Sequence, residues 1–82
     1  MIYGIYSVRD AKTGFLPPTT DVNDDSARRN FAYAFSKQDS LFVFASSDYS
    51  LYKLGEYDTD SGQVVPNNPP TWICDAPEVK NE

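Results

Sequence analysis

The residue types in this sequence argue against catalysis. None of the 82 residues is histidine, which removes the commonest general base, the Ser–His and Cys–His nucleophile pairs, and the commonest metal ligand. Cys74 is the only cysteine, so no intramolecular disulfide forms, and we interpret it as a small, partly buried side chain. We therefore predict a protein that is not an enzyme and uses no cofactor.

Two acidic segments have part of the spacing of a calcium-binding loop. Asp58, Asp60 and Gly62 resemble the opening of an EF-hand, but the glycine comes one residue early and Pro69 stands at the position of the closing glutamate. The segment Asp21–Asp25 also alternates correctly, but the glycine and the glutamate are both replaced. We interpret the first segment as a turn and the second as a helix cap, and we predict no metal site.

Basic side chains are the remaining candidates for a functional contact. Arg28 and Arg29 are the only adjacent basic pair, and they form either a solvated helix face or a contact to phosphate or an acidic partner. Lys12 and Lys53 are further candidates for that contact. The net charge of −5 is opposite to that of most free-standing DNA-binding domains, whose affinity comes from phosphate neutralisation. Any binding to DNA should therefore be weak and salt-sensitive.

Single strands are the favoured form of DNA, because exposed tyrosines can stack on unpaired bases. The alternative use of these tyrosines is packing in the core or in a dimer. The chain contains six tyrosines, five phenylalanines and one tryptophan, which is enough aromatic surface to build a folded core.

Two turns with the pattern Asp-x-x-Ser/Thr-Gly, at Asp10–Gly14 and Asp58–Gly62, predict two β-hairpins. The Asp side chain accepts a hydrogen bond from the backbone two residues on, and Gly takes a positive φ. The four predicted strands span residues 2–9, 15–19, 49–57 and 63–65. Proline cannot donate ladder hydrogen bonds, so Pro17, Pro18 and Pro66 place the second and fourth strands at sheet edges.

Residues 25–37 predict one amphipathic helix between the hairpins. Ala27, Phe31, Ala34 and Phe35 form a single apolar stripe, with Asn23 or Asp24 as N-cap and Lys37 at the end. The predicted fold class is α+β: a four-stranded antiparallel sheet in the order 2-1-3-4, with the helix on one face. Residues 39–47 fit either a short strand or a loop.

The domain organisation follows from length and composition. We predict one domain at 1–66 and an irregular Pro- and Asn-rich tail at 67–82, docked through Trp72 and Ile73. A chain of 82 residues buries only about 60–65% of its unfolded surface, and both sheet faces carry apolar groups. A homodimer is therefore expected, paired through the uncovered sheet face, a proline-ended edge or the tail.

Several segments together carry a family resemblance. They are Tyr6–Asp10 with Lys12 and Gly14; Asn23-Asp24 with Ala27, Arg29 and Phe31; Asp48–Asp58 followed by Gly62; and Pro66–Pro70. The specific piece is the run LYKLGEYD within Asp48–Asp58, which no general rule of folding demands. In these segments the chain resembles the small nonstructural protein of gokushoviruses, single-stranded DNA phages of the microvirus group.

The resemblance implies a non-enzymatic accessory protein of phage genome replication, and no catalytic residues come with it. Members are described as DNA-binding and are compared with the microvirus protein that switches replication to single-strand synthesis. The partner would be single-stranded DNA or a replication protein, in the host bacterial cytoplasm. From the start of the sequence and its lack of a long apolar run, we expect no signal peptide and no membrane span. The alternative function is an assembly or host-interaction factor that binds protein only.

Overall fold

One antiparallel sheet organises the chain in a computed structural model, which describes residues 1–34 and 46–76. The strands are β1 (Ile2–Asp10), β2 (Gly14–Phe15), β3 (Thr19–Asp21), β4 (Tyr49–Asp58) and β5 (Val64–Asp75). One helix, α1 (Asp24–Ala34), precedes a short 3-10 turn at Ser46–Asp48. The strand order is β2-β1-β4-β5, and β3 also pairs with β1. No helix in the described residues is long and apolar enough to cross a membrane.

Both predicted hairpin turns are confirmed. In the first, the Lys12 amide donates to Asp10 Oδ1 at 2.8 Å, and in the second the Asp60 amide donates to Asp58 Oδ1 at 2.9 Å. Gly14 and Gly62 have φ values of 101° and 74°, which side-chain-bearing residues rarely adopt. The hydrogen bond that the Asp60 amide donates to Asp58 is the main reason why the pKa of Asp58 lies below its usual value.

The predicted count of four strands is wrong, because the returning strand at 15–19 is split into β2 and β3. Neither Pro17 nor Pro18 has an N–H to donate, so the chain leaves β1 after Phe15 and pairs with it again at Thr19. Both pieces pair with the same side of β1. They therefore lie at the edge of the sheet, as the prolines predicted. The observed order therefore differs from 2-1-3-4 by this extra strand.

The prediction that the fourth strand stops at Pro66 and gives way to an irregular tail is also wrong. Strand β5 continues to Asp75, although it does lie at an edge. Gly55 pairs with Pro66 and Lys53 with Thr71, so four residues of β5 face only Leu54. This bulge takes Pro69 and Pro70 out of the ladder, which lets pairing resume beyond them.

The helix covers one face of the sheet and closes the core. Asn23 is its N-cap, since the Ser26 amide donates to Asn23 Oδ1 at 2.8 Å. As the stripe predicted, Ala27 and Phe31 are buried while Arg28 and Arg29 are exposed. The buried apolar residues are Tyr6, Ala27, Phe31, Tyr49, Leu51 and Ile73. The predictions for Phe35, Lys37 and residues 39–45 lie outside the described residues.

Candidate nucleic-acid interface

The sheet face opposite α1 carries the most aromatic surface. Residues directly opposite in neighbouring antiparallel strands share a face, and the register aligns Ser7, Tyr52 and Trp72 across β1, β4 and β5. We call this the helix-free face, because no helix among residues 1–34 and 46–76 packs on it. Its members are Tyr3, Ile5, Ser7, Arg9, Phe15, Ser50, Tyr52, Tyr57, Val64, Trp72 and Asp75.

Three of these side chains, Phe15, Tyr52 and Trp72, form an aromatic row across the sheet. The rings of Phe15 and Tyr52 meet edge to face, with centroids 5.5 Å apart and planes at 84°. They are on strands separated by β1, where Tyr52 pairs with Ser7 and Phe15 pairs with Arg9, so the two rings meet diagonally across β1. Ser7 is only 2% exposed, and its hydroxyl donates to the Leu16 carbonyl at 2.6 Å. Phe15 and Trp72 stay 47% and 54% exposed.

Asp75 holds the indole of Trp72 in place. Trp72 Nε1 donates to Asp75 Oδ1 at 3.0 Å, and Ser50 Oγ donates to the same oxygen at 2.8 Å. These bonds, the one from Trp72 foremost, hold the pKa of Asp75 below its usual value. Simple alternation would put residues three apart on opposite faces. A bulge at Ile73 shifts the register and brings Trp72 and Asp75 to the same face.

Arg9 is the cation of the helix-free face. It pairs with Phe15 on one side and Ser50 on the other, and it is exposed. Among residues 1–34 and 46–76, no carboxylate lies within ion-pair distance of Arg9. Sequence reasoning did not select Arg9, although the alternation of side chains along a strand puts it on the same face as Tyr3, Ile5 and Ser7.

The four cations selected from the sequence lie elsewhere, and only two of them come together. Arg28 and Lys53 line a polar cleft of about 520 Å³ at the start of α1. Arg28 is 2.7 Å from Asp25, and Lys53 Nζ is 3.6 Å from Glu56 and 4.0 Å from Asp24. Arg29 is exposed on α1 and Lys12 is exposed in the β1–β2 turn; neither lines the cleft.

Tyr6 forms the floor of that cleft. Its hydroxyl donates to Asp24 Oδ1 at 2.5 Å, and its ring lies over Gly4, where a Cβ would come within 2.5 Å of it. Burial first, and the bond to Asp24 second, raise the pKa of Tyr6 well above its usual value. Gly4 thus marks a close approach of the Tyr6 ring to the backbone of β1, a common reason for a glycine inside a strand.

Replacing Tyr6 with phenylalanine should lower the unfolding free energy at pH 7 by about 1.5–3 kcal/mol, the usual value of a hydrogen bond to a charged group. Because Asp24 is partly exposed and water can replace the lost donor, we expect the lower end. Since the folded state keeps Tyr6 protonated, its contribution is complete below about pH 10 and is lost as the pH rises further.

Urea denaturation at neutral and alkaline pH measures both effects. The difference in stability between parent and variant should shrink above about pH 10, the normal tyrosine pKa. Burial and then Asp10 also raise the pKa of Tyr49, but Tyr49 is present in both parent and variant, so its titration cancels from the difference. A Tyr6→Phe difference that stays constant or grows with pH would contradict the assignment.

The described residues contain no group of three Asp, Glu or Cys side chains arranged to hold a metal ion. The family model described as Phage ORF5 protein matches residues 3–79, nearly the whole chain. The chain belongs to the Phage ORF5 protein family. No curated protein and no solved structure shows significant similarity to it. Family membership makes it a phage accessory protein. Its residues 1–34 and 46–76 form an antiparallel sheet with the helix α1 on one face.

Proposed function

We propose that this phage protein is a non-enzymatic accessory factor of genome replication in a single-stranded DNA phage of the gokushovirus type. It acts in the host cytoplasm by binding single-stranded DNA on its helix-free face. The observation that carries the proposal is the aromatic row, whose outer members Phe15 and Trp72 are half exposed on a sheet face that α1 leaves open.

The chemistry of the row suits unpaired bases. Stacking of a base on an aromatic side chain contributes about 1–3 kcal/mol and tolerates any sequence, because every base has a π-face. Bases within a duplex are already stacked, so single strands are preferred. Arg9, next to Phe15 in the register, supplies a phosphate contact. The net charge of −5 repels the phosphate backbone of DNA, so the affinity for DNA is modest and falls with salt.

The contribution of the cations chosen from the sequence stays a prediction. Arg28 and Lys53 already have carboxylate partners, so a phosphate would have to compete with Asp25, Asp24 or Glu56. Arg29 and Lys12 have no such partner within the described residues. Lys12 lies in the turn between Arg9 and Phe15, at one corner of the helix-free face.

Fluorescence anisotropy with a labelled single-stranded oligonucleotide over a salt series tests the proposal. Phe15→Ala and Trp72→Ala should each weaken binding by about 5- to 150-fold, the equivalent of about 1–3 kcal/mol per stacked base. Tyr33→Ala, which removes a 64% exposed aromatic from α1, is the matched control and should leave binding unchanged. No binding at low salt would reject the proposal.

The salt dependence of the DNA affinity identifies which face of the protein contacts the DNA backbone. Each phosphate contact adds about 0.7 to the slope of log affinity against log salt for single strands. Arg9→Ala should therefore flatten the slope by about that amount. The double variant Arg28→Ala/Arg29→Ala flattens it as well if these arginines make the phosphate contacts predicted from the sequence. If only the double variant flattens it, DNA lies on α1 instead.

A second candidate is an assembly or host-interaction factor that binds protein only. It is favoured by an apolar groove on the same face, lined by Ile5, Tyr57 and Val64 together with residues 18–20, none of them charged. Its occupant would be an apolar segment of a partner, or a second copy in a homodimer. Sedimentation distinguishes these: a dimer at micromolar concentration that Val64→Asp dissociates supports self-association, and a monomer rejects it.

A further inference from the structure

We infer that Trp72 and Asp75 form a base-recognition subsite that prefers bases with an exocyclic amine, namely cytosine, adenine and guanine, over thymine. This inference rests on the proposed binding of single-stranded DNA and adds a base preference to it. Stacking on the row by itself carries no such preference.

Asp75 has acceptor capacity left for a ligand. Its Oδ1 receives the bonds from Trp72 and Ser50, whereas a carboxylate offers about four acceptor sites on its two oxygens. Among the described residues, no other donor contacts this side chain, and it is exposed. Because its pKa is lowered, it stays ionised at neutral pH and can accept a hydrogen bond but not donate one.

Trp72 places a stacked base beside that carboxylate. The Nε1–Oδ1 bond of 3.0 Å directs the edge of the indole toward Asp75, while 54% of the side chain remains exposed. A base stacked on the indole therefore has an edge close to Asp75. The amine at N4 of cytosine is a donor that carboxylates recognise, whereas thymine presents carbonyl oxygens on both sides of its single N–H, and these repel a carboxylate.

The charges on the face set the orientation of the strand. Arg9, Ser50 and Asp75 lie on one line across β1, β4 and β5, so Arg9 and Asp75 are separated by two strand spacings, roughly 10 Å. Arg9 attracts the phosphates and Asp75 repels them. The backbone therefore runs along the β1–β2 side, and the base edges point toward β5.

Short homopolymers of deoxycytidine and deoxyuridine test the inference, because the two bases have the same size. Cytosine has the N4 amine beside an unprotonated N3, whereas uracil has the O4 carbonyl beside an N3–H. The parent protein should bind the cytidine polymer about tenfold tighter, the effect of one hydrogen bond to a charged group. Anisotropy gives the affinities. Quenching of Trp72, the only tryptophan, reports stacking at the subsite itself.

Two variants identify the group that reads the base. Asp75→Asn keeps the shape and an acceptor for Trp72 but adds an amide donor, so the preference should vanish or reverse toward uracil. Ser50→Ala removes one donor to Asp75 and keeps the carboxylate, so the preference should persist. Melting temperatures of both variants confirm that they are folded.

The outcomes separate the inference from the function on which it rests. Equal binding of both polymers, or a cytidine preference that survives Asp75→Asn, overturns the subsite and leaves single-strand binding in place. Failure to bind either polymer at low salt overturns the proposed function and the subsite with it.

Discussion

Replacing Phe31 with alanine should lower the unfolding free energy by about 3–5 kcal/mol. Phe31 is 6% exposed and is the largest side chain that α1 contributes to the core, where it joins Tyr6, Leu51 and Ile73. The truncation removes buried aromatic surface and leaves a cavity that the sheet, held by its ladder, cannot close. A domain of this length has only about 4–12 kcal/mol of stability in total, so this single change threatens the fold.

Urea denaturation followed by circular dichroism measures the loss. The matched control is Tyr33→Ala, which truncates an exposed aromatic two residues further along α1 and should cost less than about 1 kcal/mol. If Phe31→Ala is as stable as the parent, the apolar stripe of α1 does not face the sheet.

Replacing Gly55 with alanine should cost about 1–3 kcal/mol or more, the range for overpacking. A Cβ at Gly55 would collide with the carbonyl oxygen of Val65 and lie 3.0 Å from Pro66 Cα. These are backbone atoms, so they can give way only if β5 moves from β4. The damage should therefore appear as faster hydrogen exchange at the amides of β5.

Gly14→Ala is the comparison for Gly55. A Cβ there meets nothing within 4 Å, so its cost of about 1–2 kcal/mol comes from the positive φ alone and should leave exchange in β5 unchanged. Unchanged stability and exchange in Gly55→Ala would mean that β5 does not cross this glycine closely.

Local rules were sufficient wherever the deciding contacts join near neighbours in the chain. The Asp-to-amide bonds of the two turns span two residues, and the Asn23 cap spans three. Ala27 and Phe31, which form the buried part of the apolar stripe, are four residues apart. Because these interactions lie within one turn of chain, residue types alone predict them, and with them the hairpins, the helix and its buried face.

The extent of β5 and the aromatic row depend on contacts between residues that are far apart in the sequence. Pro66 ends a strand by its missing donor, but the bulge opposite Leu54 removes the next prolines from the ladder, and only the pairing with β4 reveals it. The aromatic row depends likewise on register. Phe15, Tyr52 and Trp72 come from three strands: the rings of Phe15 and Tyr52 meet across β1, and Trp72 is opposite Tyr52 in the register. Trp72 joins Asp75 on one face because Ile73 bulges. A register shift by one residue would send these side chains to the opposite face, so composition predicts an aromatic core, and only the assembled sheet determines which rings stay exposed.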